Sequence, residues 1–348
     1  MKLISILSVT GVMMSCTAPI REYLQPEKGS EAESTAIHSS VKQDESAAVS
    51  SRPDVGPGRI PINPPFLPGP SRWPGNYFII LPKQKLVGSF GYNLFSCIDK
   101  GCDSVPPDPV WEHKTRRIRT DAISGDTVMA SAAEPFENEW VVTFRHRKTQ
   151  KFIYGKTHKQ AIAEILPAED LSNARKRWRD TYIFSKRGVI SVESTNSEGA
   201  LSSHRVRVQD SLMVTDVTCG MTPLPVKPIW LHVTTPDGVN GFIPVRYSWT
   251  NTMNSLNKNV SPWDEDILET NPMLLYAWDE NSWDLINNHR VVVDMIPDQV
   301  RLSWGTPESE RSGKGEEEHR TLWKYPSHTV IFIDGKVVDI IPASPENQ

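Results

Sequence analysis

Apolar and polar positions divide the chain into three regimes. A positive start, Met1-Lys2, leads into a mostly apolar run over residues 3–14. Residues 17–72 then read as a linker. Within them, 31–52 is rich in Ser, Ala and Glu and holds almost nothing large and apolar. From residue 73 onward, short apolar runs alternate with turn-forming clusters, the pattern of a mainly β body with minor α. Tyr77-Phe-Ile-Ile80 has the form of a short buried strand. Trp140-Val-Val-Thr-Phe144 and Lys151-Phe-Ile-Tyr154 flank a polar gap and predict a hairpin. Tyr182-Ile-Phe184 and Val189-Ile-Ser-Val192, separated by Lys186-Arg-Gly188, predict another. Leu212-Met-Val-Thr-Asp-Val217, Ile229-Trp-Leu-His-Val233 and Gly241-Phe-Ile-Pro-Val-Arg-Tyr247 are further strands, the last two joined by Pro236-Asp-Gly238. Proline presets φ in that turn and glycine accepts φ above zero. The main helical candidate is 157–179, where Ala161, Ile162, Ile165 and Leu166 fall at helical spacing and Pro167 breaks or restarts the run.

The first regime has the layout of a secretory signal peptide, and its apolar run is too short to span a bilayer. Ser15-Cys16 at its end resembles the bacterial lipobox, with Met13 where that family usually carries Leu. The resemblance implies a signal peptide over 1–16, a diacylglycerol on the Cys16 thiol and a palmitate-bearing, membrane-tethered chain. Thr17 stands where enteric lipoproteins retained in the inner membrane carry Asp, so the expected location is the bacterial cell envelope at the outer membrane.

Composition agrees with a long polar segment. The 348 residues are 38% hydrophobic, low for a globular chain, and include 28 prolines. Pro61, Pro64, Pro65, Pro68, Pro70 and Pro74 crowd the end of the linker and favour extended polyproline II. The polar part cannot bury enough surface to offset its ordering entropy. Pro61-Ile-Asn-Pro64 also fits a proline-rich peptide for a partner. With 38 basic and 42 acidic side chains the charge is nearly balanced, which argues against nucleic acid as a partner. Of 11 tryptophans, nine follow Glu112. They either fill cores or form an aromatic platform for a sugar, peptide or protein.

Two resemblances concern the body. Pro228-Ile-Trp-Leu-His-Val, Pro236-Asp-Gly238 and Gly241-Phe-Ile-Pro-Val look like the end of a bacterial SH3-like domain, with Phe242 in place of the usual Trp. This implies a small β barrel within 73–255 and peptidoglycan as a partner class. Val291-Val-Val-Asp-Met-Ile-Pro-Asp-Gln-Val300, Leu302-Ser-Trp-Gly-Thr-Pro307, Leu322-Trp-Lys-Tyr325 and Val330-Ile-Phe-Ile-Asp-Gly-Lys-Val-Val338 are similar to envelope lipoprotein domains of the BamE/SmpA type, with Asp294-Met295-Ile296 replacing that family's Gly-Met-Thr. This implies an α+β module over 256–341, before a tail at 342–348, acting as a non-enzymatic scaffold or assembly subunit. One short helix should start near Pro297 and close at Gly305, and Asp334-Gly335 should turn a hairpin. Val300 and Trp304, four residues apart, should share a face buried against Phe332 or Trp323.

Candidate chemistry is sparse. Gly155-Lys156-Thr157 has the tail of a phosphate-binding loop, but Gln150 stands where its earlier glycine is required. HExxH, GxSxG and GxGxxG are missing, and the nine histidines show no paired metal spacing, so no metal, cofactor or catalytic residue is assigned. Glu316-Glu-Glu-His319 reads as a solvated charge run. Arg175, Lys176, Arg177 and Arg179 make one compact basic group, either an anionic lipid or glycan patch or a solvated helix face. Cys97 and Cys102 enclose four residues and suit a small disulfide loop in an oxidising compartment. Cys219 is then left over, as a buried thiol or a nucleophile. Two functions remain: a tethered binding or assembly module, held in the membrane by its lipid and partnered by peptidoglycan or another envelope protein, or a cell-wall hydrolase whose site is assembled from distant residues such as Cys219 and a histidine.

Overall fold

Among the described residues, seventeen strands in three antiparallel sheets make up most of the regular structure, with five short α-helices and a 3-10 turn at Pro70–Arg72, so the body is mainly β with minor α. The computed structural model describes residues 69–83, 91–97, 117–136, 138–157, 161–193, 201–221, 227–252, 261–314 and 319–343. Cys16, residues 17–68 of the linker, Cys102, Glu316 to Glu318 and the tail from 344 lie outside them. Among the described residues no helix is long and apolar enough to cross a membrane.

The first sheet has the order β2-β5-β4-β3-β1-β6. Its strands are β1 (Tyr77–Ile80), β2 (Leu94–Phe95), β3 (Thr127–Phe136), β4 (Glu139–His146), β5 (Phe152–Thr157) and β6 (Ile165–Pro167), with helix α1 (Thr120–Ile123) before β3. β4 and β5 form the hairpin expected from their alternating pattern. Phe78, Ile79 and Ile80 of β1 are apolar and buried because both faces of the strand are covered there. Phe78 and Ile80 enter a first core with Trp73, Tyr92, Leu94, Val142 and Phe144, whereas Ile79 joins a second core. β6 divides in the same way, Ile165 to the first core and Leu166 to the second. The helix expected over 157–179 is corrected by this division. Successive residues buried on opposite sides need a period of two, so 165–167 is a strand paired with β1, and the helix α2 (Ala168–Trp178) starts only after Pro167. Gly155 lets the first core close, since a Cβ there would meet Ile162 Cδ1 at 2.6 Å.

The second sheet has the order β13-β7-β10-β11-β12-β8-β9. It comprises β7 (Tyr182–Ser185), β8 (Val189–Glu193), β9 (Leu201–Arg205), β10 (Leu212–Cys219), β11 (Ile229–Thr234), β12 (Asn240–Val245) and β13 (Ile267–Leu268). Leu171, Ala174 and Trp178 of α2 pack into its core with Ile183, Val214, Leu231 and Val245. The β11–β12 turn at Pro236-Asp-Gly238 has Gly238 at φ 84, as its sequence requires. Phe242, standing where the SH3-like pattern has Trp, stacks on Trp230 at 4.5 Å. β7 and β8 occupy the expected residues but do not pair as a hairpin: β7 lies between β10 and β13, and β8 between β12 and β9. Ser185 Oγ donates to Val189 O at 3.0 Å across the turn, and from there the strands part to opposite sides of the curled sheet. β13 pairs with β7, so this sheet draws residues from beyond position 255.

The last part carries α3 (Pro272–Leu275), α4 (Glu280–Asn287), α5 (Pro297–Trp304) and a meander of β14 (Ser309–Lys314), β15 (His319–Lys324), β16 (His328–Ile333) and β17 (Lys336–Pro342). α5 begins and ends where expected, with Pro297 at its start and Gly305 at φ 83 as its cap. Two further helices precede it, where the sequence predicted one in all. Asp334 and Gly335 both have positive φ, the geometry that lets a two-residue turn follow the strand twist. Val300 enters a core with Trp323, Val330, Phe332 and Val337, whereas Leu302 enters another with Val208, Trp283 and Ile286. Trp304 packs against the core that holds Phe332 and Trp323, as expected, but at its margin rather than in its interior. It is half-buried, lies edge-on to Tyr325 at 5.3 Å and donates Nε1–H to His289 O at 2.8 Å. Trp73, Trp178, Trp230, Trp263, Trp283 and Trp323 are core residues, as the core-filling reading expects.

Candidate functional site

The four-stranded meander has one face committed to the core and one to solvent. Period-two alternation places Trp323, Val330, Phe332 and Val337 inward under α5. Their neighbours in sequence form the outer face. Across it run the paired rows Arg311–Leu322–Ile331–Asp339, Ser309–Lys324–Thr329–Ile341 and Gly313–Arg320–Ile333–Lys336. A bulge between Ile331 and Phe332 leaves Val338 unpaired and 41% exposed. Ile341 is 46% exposed, while Ile331, ringed by paired neighbours at the centre, is 5% exposed.

Arg311, Arg320, Lys324 and Lys336 are all exposed on this face, and none makes an ion pair among the described residues. Among the described residues of this face, four cations stand against one carboxylate, that of Asp339, a balance of +3, whereas the whole chain is at −4. Glu310 of β14 lies on the opposite side, where it takes the Arg301 guanidinium at 2.6 Å. The outer face therefore combines a strip of Leu322, Ile331, Ile333, Val338 and Ile341 with a surplus of positive charge. Such a surface can hold an extended anionic partner through cation–anion contacts, with the apolar strip adding area removed from water.

The other candidate residues are placed differently. Arg175 Nε donates to Val217 O at 2.8 Å, and Arg177 makes a two-pronged bond to Glu269, each prong 2.6 Å, with its guanidinium 4.7 Å over the Trp263 ring. Lys176 and Arg179 remain exposed, Arg179 lying 3.9 Å from Asp180. The basic run of α2 is thus divided between structural bonds and a solvated face. Cys97 is in a disulfide, while its expected partner Cys102 lies outside the described residues. Cys219 is free and buried in the second core, and burial pushes its thiol up to about 12. Such a thiol carries almost no thiolate at neutral pH, which counts against the nucleophile reading.

Two polar constellations could not be read from the sequence. His146 lies between Asp126 (Nε2 to Oδ2, 3.0 Å) and the Thr149 hydroxyl (Nδ1, 2.8 Å). The Thr149 backbone N–H also donates to Nδ1 at 3.2 Å, Gln150 N donates to His146 O, and Lys148 pairs with Asp126. These bonds tie down the turn between β4 and β5. The second constellation is Asp266, buried with one oxygen shared by Lys227 and by Arg187 at 2.9 Å, and the other without a partner among the described residues. Among the described residues no group of three or more His, Cys, Asp or Glu side chains is placed to hold a metal ion. No protein-family model, no curated protein and no solved structure matches the chain.

Proposed function

We propose that this chain is a lipid-tethered envelope protein whose body is a non-enzymatic binding or assembly module. The observation that carries the reading is the outer face of the β14–β17 sheet, where exposed apolar side chains share one surface with cations that make no ion pair among the described residues. Large apolar side chains left on a sheet face next to uncompensated charge mark an interaction surface rather than an inert one. The lipobox-like Ser15-Cys16, the linker that follows it and the resemblance to SH3-like and BamE/SmpA-type modules support the same role. A lipid at Cys16 fixes one end of the chain at a bilayer, and the linker sets how far the binding body reaches.

Metabolic labelling with radiolabelled palmitate tests the tether. The parent chain is expected to take up label and to fractionate with membranes, whereas Cys16→Ala takes up none and accumulates as unprocessed precursor. Equal incorporation into both chains would refute lipidation at Cys16.

A further inference from the structure

We infer that the outer face of the β14–β17 sheet docks flat on an anionic phospholipid surface. This rests on the tethered reading above and names the partner of the same face. Three features select a bilayer over other anions. The four cations belong to three strands rather than to one pocket: Arg311 on β14, Arg320 and Lys324 on β15, and Lys336 on β17. Spread over strands about 4.8 Å apart, they suit many separate phosphates in a plane better than one ligand. Val338 and Ile341 stand exposed on β17 and Leu322 and Ile333 are half-buried between the cations. A headgroup boundary offers phosphate to the cations and acyl chain to the apolar strip together, as it does for an interfacial amphipathic helix. The charge is also segregated: the described residues of this face balance at +3 on a chain at −4, which favours turning this side toward an anionic plane.

Flat docking makes the face sensitive to lipid charge while the tether is not. Loss of one cation should weaken engagement about fivefold, and reversal of two by well over tenfold.

The test uses the full-length, lipidated chain with Val338→Cys, labelled with a polarity-sensitive dye and reconstituted into vesicles. Cys219 is buried and Cys97 is in a disulfide, and mass spectrometry of the digested protein places the label on residue 338. In vesicles of phosphatidylethanolamine with phosphatidylglycerol the dye should report an apolar environment. It should report water in phosphatidylcholine, at high salt, and in the Arg320→Glu/Lys324→Glu variant. Both substituted side chains are exposed and make no ion pair among the described residues, so that variant should melt with the parent. A dye that reports water on anionic vesicles while the chain stays anchored overturns lipid docking and leaves the tethered reading intact. A dye shielded only on native membranes that keep their proteins assigns the face to a protein partner, which also overturns it. Failure of the chain to stay with any vesicle overturns the tethered reading itself.

Discussion

Ser248 donates its hydroxyl to the carboxylate of Asp170 at 2.6 Å, where the first turn of α2 meets the end of the second sheet. Burial outweighs that bond and pushes the Asp170 carboxyl up to about 7. The folded chain therefore holds this proton more tightly than the unfolded chain, whose ordinary value is 3.8. The sign follows by linkage: the group's contribution to stability is complete below the unfolded value and is lost as pH rises through about 7. At about 1.4 kcal/mol per unit, the loss over this window is on the order of 4 kcal/mol. Denaturant midpoints measured from about pH 5 to about pH 8 should fall for the parent relative to Asp170→Asn, which keeps an acceptor for Ser248. Parallel curves would mean that Asp170 does not titrate there.

A second buried charge behaves differently because it is paired. Lys83 Nζ lies 2.6 Å from Glu164 Oε1 and 2.9 Å from Gly91 O, and both Glu164 oxygens accept from Asn93 N. Lys83→Met should cost about 3–5 kcal/mol, because it leaves a carboxylate without its cation. Removing the carboxylate too, in Lys83→Met/Glu164→Leu, should not restore stability. Gly91 O and Asn93 N then lose their partners in a part-buried position. Recovery of the parent midpoint by the double variant would show that the backbone bonds contribute little.

Local signals were legible and non-local ones were not. Pro297, Gly305 and Asp334-Gly335 act through their own φ preferences, so the ends of α5 and the β16–β17 turn could be read from the chain alone. Ile165 and Leu166 have a spacing that fits a helix, whereas their fate depends on two cores assembled elsewhere. The turn between β7 and β8 likewise has the local form of a hairpin, whereas β7 takes the distant β10 and β13 as neighbours. Arg177 looked available for a ligand because Glu269 is 92 residues away in sequence. The docking face left one trace: Val330-Ile-Phe-Ile333 is apolar on both faces, which a strand with one solvated polar face would not be.

The α5 core gives a ranking. Phe332 is buried beside Trp323 with ring centroids 4.6 Å apart, whereas Trp304 is half-buried at the margin. Phe332→Ala should cost about 3–5 kcal/mol in a denaturant melt. Trp304→Ala should cost about 2 kcal/mol, from partial burial and the bond to His289 O. The reverse order would return Trp304 to the centre of this core.

Cys219 separates the binding reading from the hydrolase reading. Its burial and its high-lying thiol predict negligible alkylation by iodoacetamide in the native protein at mild alkaline pH, with full modification in denaturant. Mass spectrometry of the digested protein reports the difference directly. Rapid modification of the folded chain would restore Cys219 as a candidate nucleophile.

Gly241 and Gly238 are three residues apart and are constrained for different reasons. At Gly241, on β12 beside β8, a Cβ would meet Ser191 O at 2.6 Å and Ile190 Cδ1 at 2.8 Å. The obstruction is backbone as well as side chain, so a small rotamer change cannot relieve it. At Gly238 a Cβ would meet nothing within 4 Å, and only φ at +84 disfavours a side chain. Asparagine tolerates left-handed φ better than alanine does. Gly238→Asn should therefore melt near the parent, while Gly241→Asn and Gly241→Ala should both lose about 1–3 kcal/mol or more. Because Phe242–Ser191 is the one register pair between β8 and β12 among the described residues, forcing the strands apart at Gly241 should also free the β8–β9 pair. Hydrogen exchange should show this as faster amide exchange at Ile190 and Val192, with β10 and β11 still protected. If Gly241→Asn leaves exchange in β8 unchanged, close backbone approach is not what holds the two strands together.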